Sequence, residues 1–461
     1  METLLIVIFV LGYLAITLEH TLKIDKLIPA LAMMAILWAM MAFGIDGFST
    51  WFDSAKHALM DNFGMLEHEE KMHLLEETLL HHLGKTSEIL VFLLGAMTIV
   101  EIIDYFDGFA TIKTFIKTRS KKKILWIFAF LAFILSAIID NLTATIVLIS
   151  ILQKIVYDRT SRLWYAGLIV IAANAGGAWS PIGDVTTTML WIGNKVSTGK
   201  LISYLLLPSL VCMLVPTFIA SFLSPFKGSI EAEDAAPPKS KYGPTMLYLG
   251  LSAIVFVPIF KTVTHLPPYV GMMLSLAVVA TFAEIYSNKK IAISSVDPDS
   301  DAHAHHSPVH SALTKIELPS ILFFLGILMA VAALESLGLL FNFAEGLKQG
   351  TPLLGTEIAG TQISDLVVIL LGVGSAVIDN VPLVAASLGM LSEPLDNPLW
   401  HFIAYSAGTG GSMLIIGSAA GVVAMGMEKI DFFWYLKKIA WLAALGFIAG
   451  AICFIGIRIF F

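Results

Sequence analysis

Ten apolar runs near the length of a membrane span dominate this chain, at roughly 2–18, 27–44, 87–103, 163–194, 201–223, 244–260, 267–286, 316–334, 399–427 and 433–457. About 20 apolar residues in a helix cross the hydrocarbon core of a bilayer. Composition agrees, with 57% of the 461 residues apolar and only 14% charged. About a quarter of a soluble domain is charged, and so few charges cannot cover a soluble surface of this size. The expected fold class is an all-α polytopic membrane protein. Cys212 and Cys453 both sit inside apolar runs, which excludes a disulfide scaffold. A net charge of -7 argues against a nucleic-acid partner. Residues 1–18 lack a basic start and a small-residue cleavage site, so they read as a first span and not as a cleaved signal.

Two further apolar runs, 124–155 and 364–392, are broken in the middle by polar residues. Each arm has about 12–15 residues, marginal for crossing a bilayer. They read as re-entrant hairpins that enter and leave on one side. Lys and Arg accumulate on the cytoplasmic side, which tests that reading. With both termini outside, ten spans and two hairpins place 20 of the 28 basic residues inside. A crossing hairpin would flip every later loop and weaken the bias.

The halves correspond. The hairpin tips read Ser-Ala-Ile-Ile-Asp-Asn at 136–141 and Ser-Ala-Val-Ile-Asp-Asn at 375–380. The broken spans carry Asn174-Ala175-Gly176-Gly177 and Gly408-Thr409-Gly410-Gly411, followed by Gly183 and Gly417. Five spans per half is an odd number, so the second half inserts upside down. Inverted repeats with broken helices meeting near the midplane are a construction of secondary transporters. The division is a first repeat at 1–226, a cytoplasmic linker at 227–243 and a second repeat at 244–461. The segment 65–83 alternates at helical spacing and reads as a helix along the outer interface. The stretch 109–123 reads as an inner interfacial helix, and 287–315 as a polar loop.

Asp140 and Asp379 each end one apolar arm and begin the next. Ionisable residues at membrane depth are expensive and are functional candidates by default. An Asp-Asn pair also turns a hairpin or caps a helix. Its recurrence in symmetric places favours a site. Where helical hydrogen bonding stops, free carbonyls and helix ends can coordinate an ion. Ser136, Asn141, Thr143, Ser375 and Asn380 add neutral oxygens, the donors that a small hard cation such as Na⁺ prefers. The predicted Na⁺ set is Asp140, Asn141, Asp379 and Asn380. The broken spans add Asn174, Ser180, Asp184, Thr186 and Thr187, then Ser406, Thr409, Ser412 and Ser418. Asp184 aligns with Ser418, so the halves carry unequal charge. Ser and Thr there serve equally well as small packing residues.

Glu101, Asp104, Asp107 and Glu335 read as solvated helix ends, as do Glu19 and His20. Two histidine groups, His68, His73, His81, His82 and His303, His305, His306, His310, read as polar loops with a lesser option of metal binding or pH sensing. A charged carboxylate at membrane depth is stabilised by a cation or neutralised by a proton. If one site holds either and faces each side in turn, exchange follows.

At these tips the sequence resembles the NhaD-type Na⁺/H⁺ antiporters, within the larger ion transporter superfamily of arsenite permeases and dicarboxylate carriers. The resemblance rests on residues 136–145, 174–188 and 375–383 and on the repeat order over nearly the whole chain. It implies export of sodium or lithium for protons across the bacterial inner membrane, with no cofactor and no enzyme activity. It also implies a homodimer, with a scaffold part and a transport part that slides as an elevator. By that similarity Ser136, Asp140, Asn141, Asn174, Asp184, Thr186, Thr187, Ser375, Asp379 and Asn380 form the polar site. The dicarboxylate relatives carry Ser-Asn-Thr at the tips. Aspartates in that place repel a dianion and favour a cation. Arsenite or a carboxylate on the same fold, an intramembrane aspartyl protease and a channel are the competing readings.

Overall fold

The computed structural model describes residues 1–53, 58–60, 62–114, 116, 118–230, 241–294, 307–340, 342, 356–358, 360–377 and 380–460. In the first half the main helices are α1 (Glu2–Thr17), α2 (Leu27–Phe43), α3 (His68–Tyr105), α4 (Lys121–Ile139), α5 (Asn141–Gln153), α6 (Arg159–Ala178), α7 (Val185–Ile192) and α8 (Thr198–Ala220). In the second they are α9 (Gly243–Thr264), α10 (Pro268–Ser294), α11 (Leu318–Ser336), α12 (Asp365–Ser375), α13 (Asn380–Met390), α14 (Pro398–Gly410), α15 (Ala419–Glu428) and α16 (Ala440–Phe460). Each half thus reads three helices, a hairpin pair, a broken pair and a last helix. Among the described residues, seven helices are long and apolar enough to cross a membrane alone. α1, α2 and the hairpin and broken pairs supply shorter apolar helices.

The helices pack as two bodies. One holds α1, α2 and α3 with α9, α10 and α11; the other holds α4 to α8 with α12 to α16. The first is tied by the Trp38 indole, which donates to the Met329 carbonyl at 2.8 Å and joins α2 to α11. In the second, α8 and α16 meet through small residues, with Gly446 lying against the Cys212 carbonyl. Lipid tails are as apolar as leucine, so close backbone approach supplies the attraction that water would otherwise drive. Buried tyrosines serve as struts: Tyr165 donates to the Lys121 carbonyl at 2.6 Å, and Tyr435 to the Ser412 carbonyl at 2.7 Å.

Four local expectations change. The amphipathic segment 65–83 is no separate interfacial helix. It is the start of α3, which runs unbroken for 38 residues. Nothing stronger than Gly84 interrupts it, and a Glu67/Glu70 capping box starts it. At 1.5 Å per residue it is about 57 Å long, so its first turns extend past a core of about 30 Å. The stretch 109–123 is helical only at Ala110–Lys113 before α4 begins. The polar loop 287–315 contains a helix at Pro308–Lys315, capped by Ser307 and packed on α3. The first hairpin arm, α4, has 19 residues, long enough to span, yet the chain still turns back at its end.

Two polar contacts at the hairpin base carry predictions. Arg162, at the start of α6, sends its Nε to both oxygens of Glu428 at 3.1 Å, joining the two halves. The Glu428 side chain is 1% exposed. Removing one partner of a buried pair strands the other charge. Glu428→Gln is expected to lower stability by about 3 kcal/mol, read as a lower melting temperature in detergent. Asp158 caps α6, accepting from Ser161 and Thr160 amides at 2.9 and 3.3 Å. Hydrogen bonds from Ser161, then from Thr160, hold its carboxyl below the usual range despite slight desolvation. The folded state therefore favours the ionised form. That stability is present above the ordinary carboxylate range and is lost as pH falls through the lowered value. Asp158→Ala is expected to cost about 1 kcal/mol at neutral pH, with the gap to wild type closing as the medium is acidified.

Candidate functional site

Asp140 is the hinge between α4 and α5. Its φ of 82° and ψ of 159° fall in a region that only glycine visits freely. Holding a carboxylate residue there costs of order 1–3 kcal/mol. The local pattern explains why it persists. The Thr143 amide donates to one carboxylate oxygen at 2.7 Å and the Thr143 hydroxyl to the other at 2.8 Å. The side chain caps α5 while the backbone makes the turn.

Asp184 stands at the break between α6 and α7 and caps α7. Its Oδ1 accepts the Thr186 amide at 2.9 Å and the Thr186 hydroxyl at 3.0 Å. Its Oδ2 accepts Asn141 Nδ2 at 2.8 Å and Asn380 Nδ2 at 3.3 Å. One oxygen thus receives an amide from each hairpin tip, and the two tips come from opposite halves of the chain. Asn141 Nδ2 also lies 3.0 Å from Asn174 Oδ1, and Asn174 Nδ2 donates to Ser418 Oγ at 2.9 Å. Asn141, Asn174, Asp184, Thr186, Asn380 and Ser418 are all buried. They form one connected polar cluster inside the second body.

Asp140 and Asp184 share a cavity of about 20 Å³. That is room for one water or one dehydrated ion. Its far wall is Phe92, Leu93, Ala96 and Met97 of α3 with Ile254 and Met272 of α9 and α10. These apolar residues read as ordinary span in the sequence, and no motif marks them. On one side a cavity of about 360 Å³ reaches Leu142 and Thr143 and is lined by Glu101, Asp104, Asp107 and Lys154. The carboxylates that read as a solvated helix end therefore face the approach to Thr143. On another side a cavity of about 600 Å³ holds His81, His82, Lys85, Lys195, Lys261 and Glu335. Lys261 of α9 donates to the Trp191 carbonyl of α7 at 2.7 Å, a bond between the two bodies.

The remaining predicted residues do other work at close range. Ser136 donates to the Ala173 carbonyl at 2.6 Å, and Ser375 to the Ala407 carbonyl at 3.1 Å. These are matching positions in the two halves, and each ties a hairpin arm to its broken helix. Thr187 donates to the Asp184 carbonyl, Thr409 to Tyr405 and Ser412 to Thr409, all nearby backbone oxygens. Ser180 Oγ accepts weakly from Ile182, and Ser406 Oγ is buried with no partner among the described residues. Asp379 lies outside the described residues, as do His303, His305 and His306. Among the described residues, no group of three His, Cys, Asp or Glu is arranged to hold a metal ion.

Comparison with known proteins follows the same line. Residues 13–400 match the family described as citrate transporter. Sodium/proton antiporter 1 of Arabidopsis thaliana is 40% identical over 98% of this chain and 72% of its own. Na⁺/H⁺ antiporter NhaD of Vibrio cholerae is 32% identical over 94% of this chain and 87% of its own. The solved YdaH transporter of Alcanivorax borkumensis superposes with a TM-score of 0.57 at 12% identity, covering 93% of this chain and 95% of that one, a likeness of fold alone. This multi-pass membrane transporter belongs to the NhaD-type Na⁺/H⁺ antiporter family, within the broader citrate-transporter group.

Proposed function

We propose that the chain exchanges Na⁺ or Li⁺ for H⁺ across a bacterial inner membrane, with both termini outside. The observation that carries this reading is the meeting of Asn141 and Asn380 on one oxygen of Asp184. A buried carboxylate costs free energy while charged and unpaired. Neutral amides solvate it without neutralising it. A proton or a small cation completes the site, and the two compete for one negative charge. Each asparagine carries a carbonyl oxygen beside its amide nitrogen, so a rotated side chain offers Na⁺ the ligand type it prefers. Among the described residues the cluster contains no lysine or arginine, which disfavours a di- or tricarboxylate as cargo.

Movement of the second body against the first would expose this site to each side in turn. The apolar α3, α9 and α10 wall supports such an elevator, because it supplies no polar ligand that fixes the site at one height. The cavity at Thr143 supplies one approach. The reading includes a homodimer, which native mass spectrometry of the purified protein checks.

The test is purified protein in liposomes with a pH dye inside. Gradients of Na⁺ and Li⁺ are expected to drive opposite proton movement, while K⁺ and citrate are not. Citrate or arsenite uptake without cation-driven proton movement would overturn the proposal.

A further inference from the structure

The two broken helices restart from nearly identical backbones. Asp184 has φ -152° and ψ 148°, and Ser418 has φ -151° and ψ 153°. Each caps the helix that follows. One place holds a carboxylate, the other a hydroxyl, and the hydroxyl is shared between the two halves: Ser418 Oγ accepts Asn174 Nδ2 of the first half at 2.9 Å and the Gly421 amide of its own helix at 3.2 Å. A hydroxyl oxygen has two lone pairs, so both are in use. The Asn174 amide is asymmetric, donor at one end and acceptor at the other. With its donor end on Ser418, its Oδ1 faces Asn141, where Asn141 Nδ2 reaches it at 3.0 Å and selects that orientation. A flipped Asn174 would set two donor groups against each other.

We propose that Ser418 is a positioning residue for the ion site, acting through Asn174. It ends the cluster on the side of Asn174 and supplies no charge of its own. It keeps the Asn174 carbonyl oxygen turned toward Asn141, whose amide also reaches Asp184 at 2.8 Å, and so holds the donor set around Asp184 in place. The inference rests on the Na⁺/H⁺ reading above.

Three variants in liposomes test it. Ser418→Ala removes the hydroxyl and also the helix cap. Ser418→Gly removes the hydroxyl with little capping loss, since glycine is tolerated at that place. Ser418→Thr keeps the hydroxyl. Loss of one buried hydrogen bond that orders the site is expected to raise the Na⁺ KM on the order of tenfold in the Ala and Gly variants, with the maximal rate per folded molecule within about twofold. The Thr variant is expected to keep the wild-type KM. A merely structural role would lower the amount of folded protein and leave KM alone. If wild type exchanges Na⁺ and the Ala and Gly variants keep its KM, the positioning role is overturned and the function stands. If KM rises equally in all three, the hydroxyl is not the agent and the role is overturned too. If wild type moves no protons in response to Na⁺, both proposals fall together.

Discussion

Asp184→Asn is expected to abolish cation-driven proton movement while leaving a folded transporter. The substitution keeps shape and volume. One side-chain oxygen remains to accept from Asn141 and Asn380 in place of Oδ2. The negative charge does not remain, and with it goes the reason for either a proton or Na⁺ to stay. Charge-assisted contacts contribute about 1.5–3 kcal/mol each, so the loss of one already predicts roughly a ten- to hundredfold fall in cation affinity. Proton exchange requires a group that titrates, which an amide is not, so the rate is expected to fall below detection. Asp140→Gly gives a second and different result. Glycine adopts the φ of 82° without strain, so the hairpin turn survives and the backbone cost at the tip disappears. The cap on α5 is lost in exchange. That variant is expected to melt near wild type and to transport poorly. Liposome assays with a pH dye and melting curves in detergent measure both. Full exchange by Asp184→Asn would remove Asp184 from the mechanism.

The parts of this fold that sequence shows are those repeated or those costly. Asp140-Asn141 stands out because a charge inside an apolar run needs a reason, and because the second tip repeats it. Asp184 stands out for the same cost. Hairpins and breaks are legible because Gly, Asn, Asp and Pro interrupt apolar runs where the helix must stop. The Asn174–Ser418 bond is not legible, since it joins two halves far apart in the chain through a serine that packs like any other. The wall of Phe92, Leu93, Ala96 and Met97 is hidden for a simpler reason: apolar residues facing a site and apolar residues facing lipid look alike. The continuity of α3 is not legible, because amphipathic spacing gives helix and face and does not say whether one helix stops before the next begins. The hairpin at α4 is legible, but its arm is longer than the apolar run shows, because Lys121–Lys123 extend the helix to 19 residues. Arm length sets what can cross, and contact with the returning helix decides what does.

Gly176→Ala and Gly410→Ala are expected to be among the most damaging small substitutions at the described residues. At each of these glycines a broken helix lies directly on a hairpin arm. A Cβ on Gly176 would overlap the Phe133 carbonyl oxygen, and one on Gly410 the Gly372 carbonyl oxygen. These are matching contacts in the two halves. A side chain in the way can turn aside, whereas a carbonyl in the middle of a helix cannot. The helices would have to part, and the nearby ties from Ser136 to Ala173 and from Ser375 to Ala407 would stretch with them. Both asparagines that meet on Asp184 hang from these hairpins, so the cluster would open as well. Overpacking of this kind costs about 3 kcal/mol or more where the neighbour is backbone. Gly426 is the control. It lies in α15 with open space where its Cβ would go, and alanine there gains up to about 1 kcal/mol of helix propensity. Gly176→Ala and Gly410→Ala should give little monodisperse protein on size-exclusion chromatography and no exchange, while Gly426→Ala matches or exceeds wild type. Equal melting temperatures for all three variants would mean that the hairpins do not seat on the broken helices as described, and the geometry of the ion site would fall with that seat.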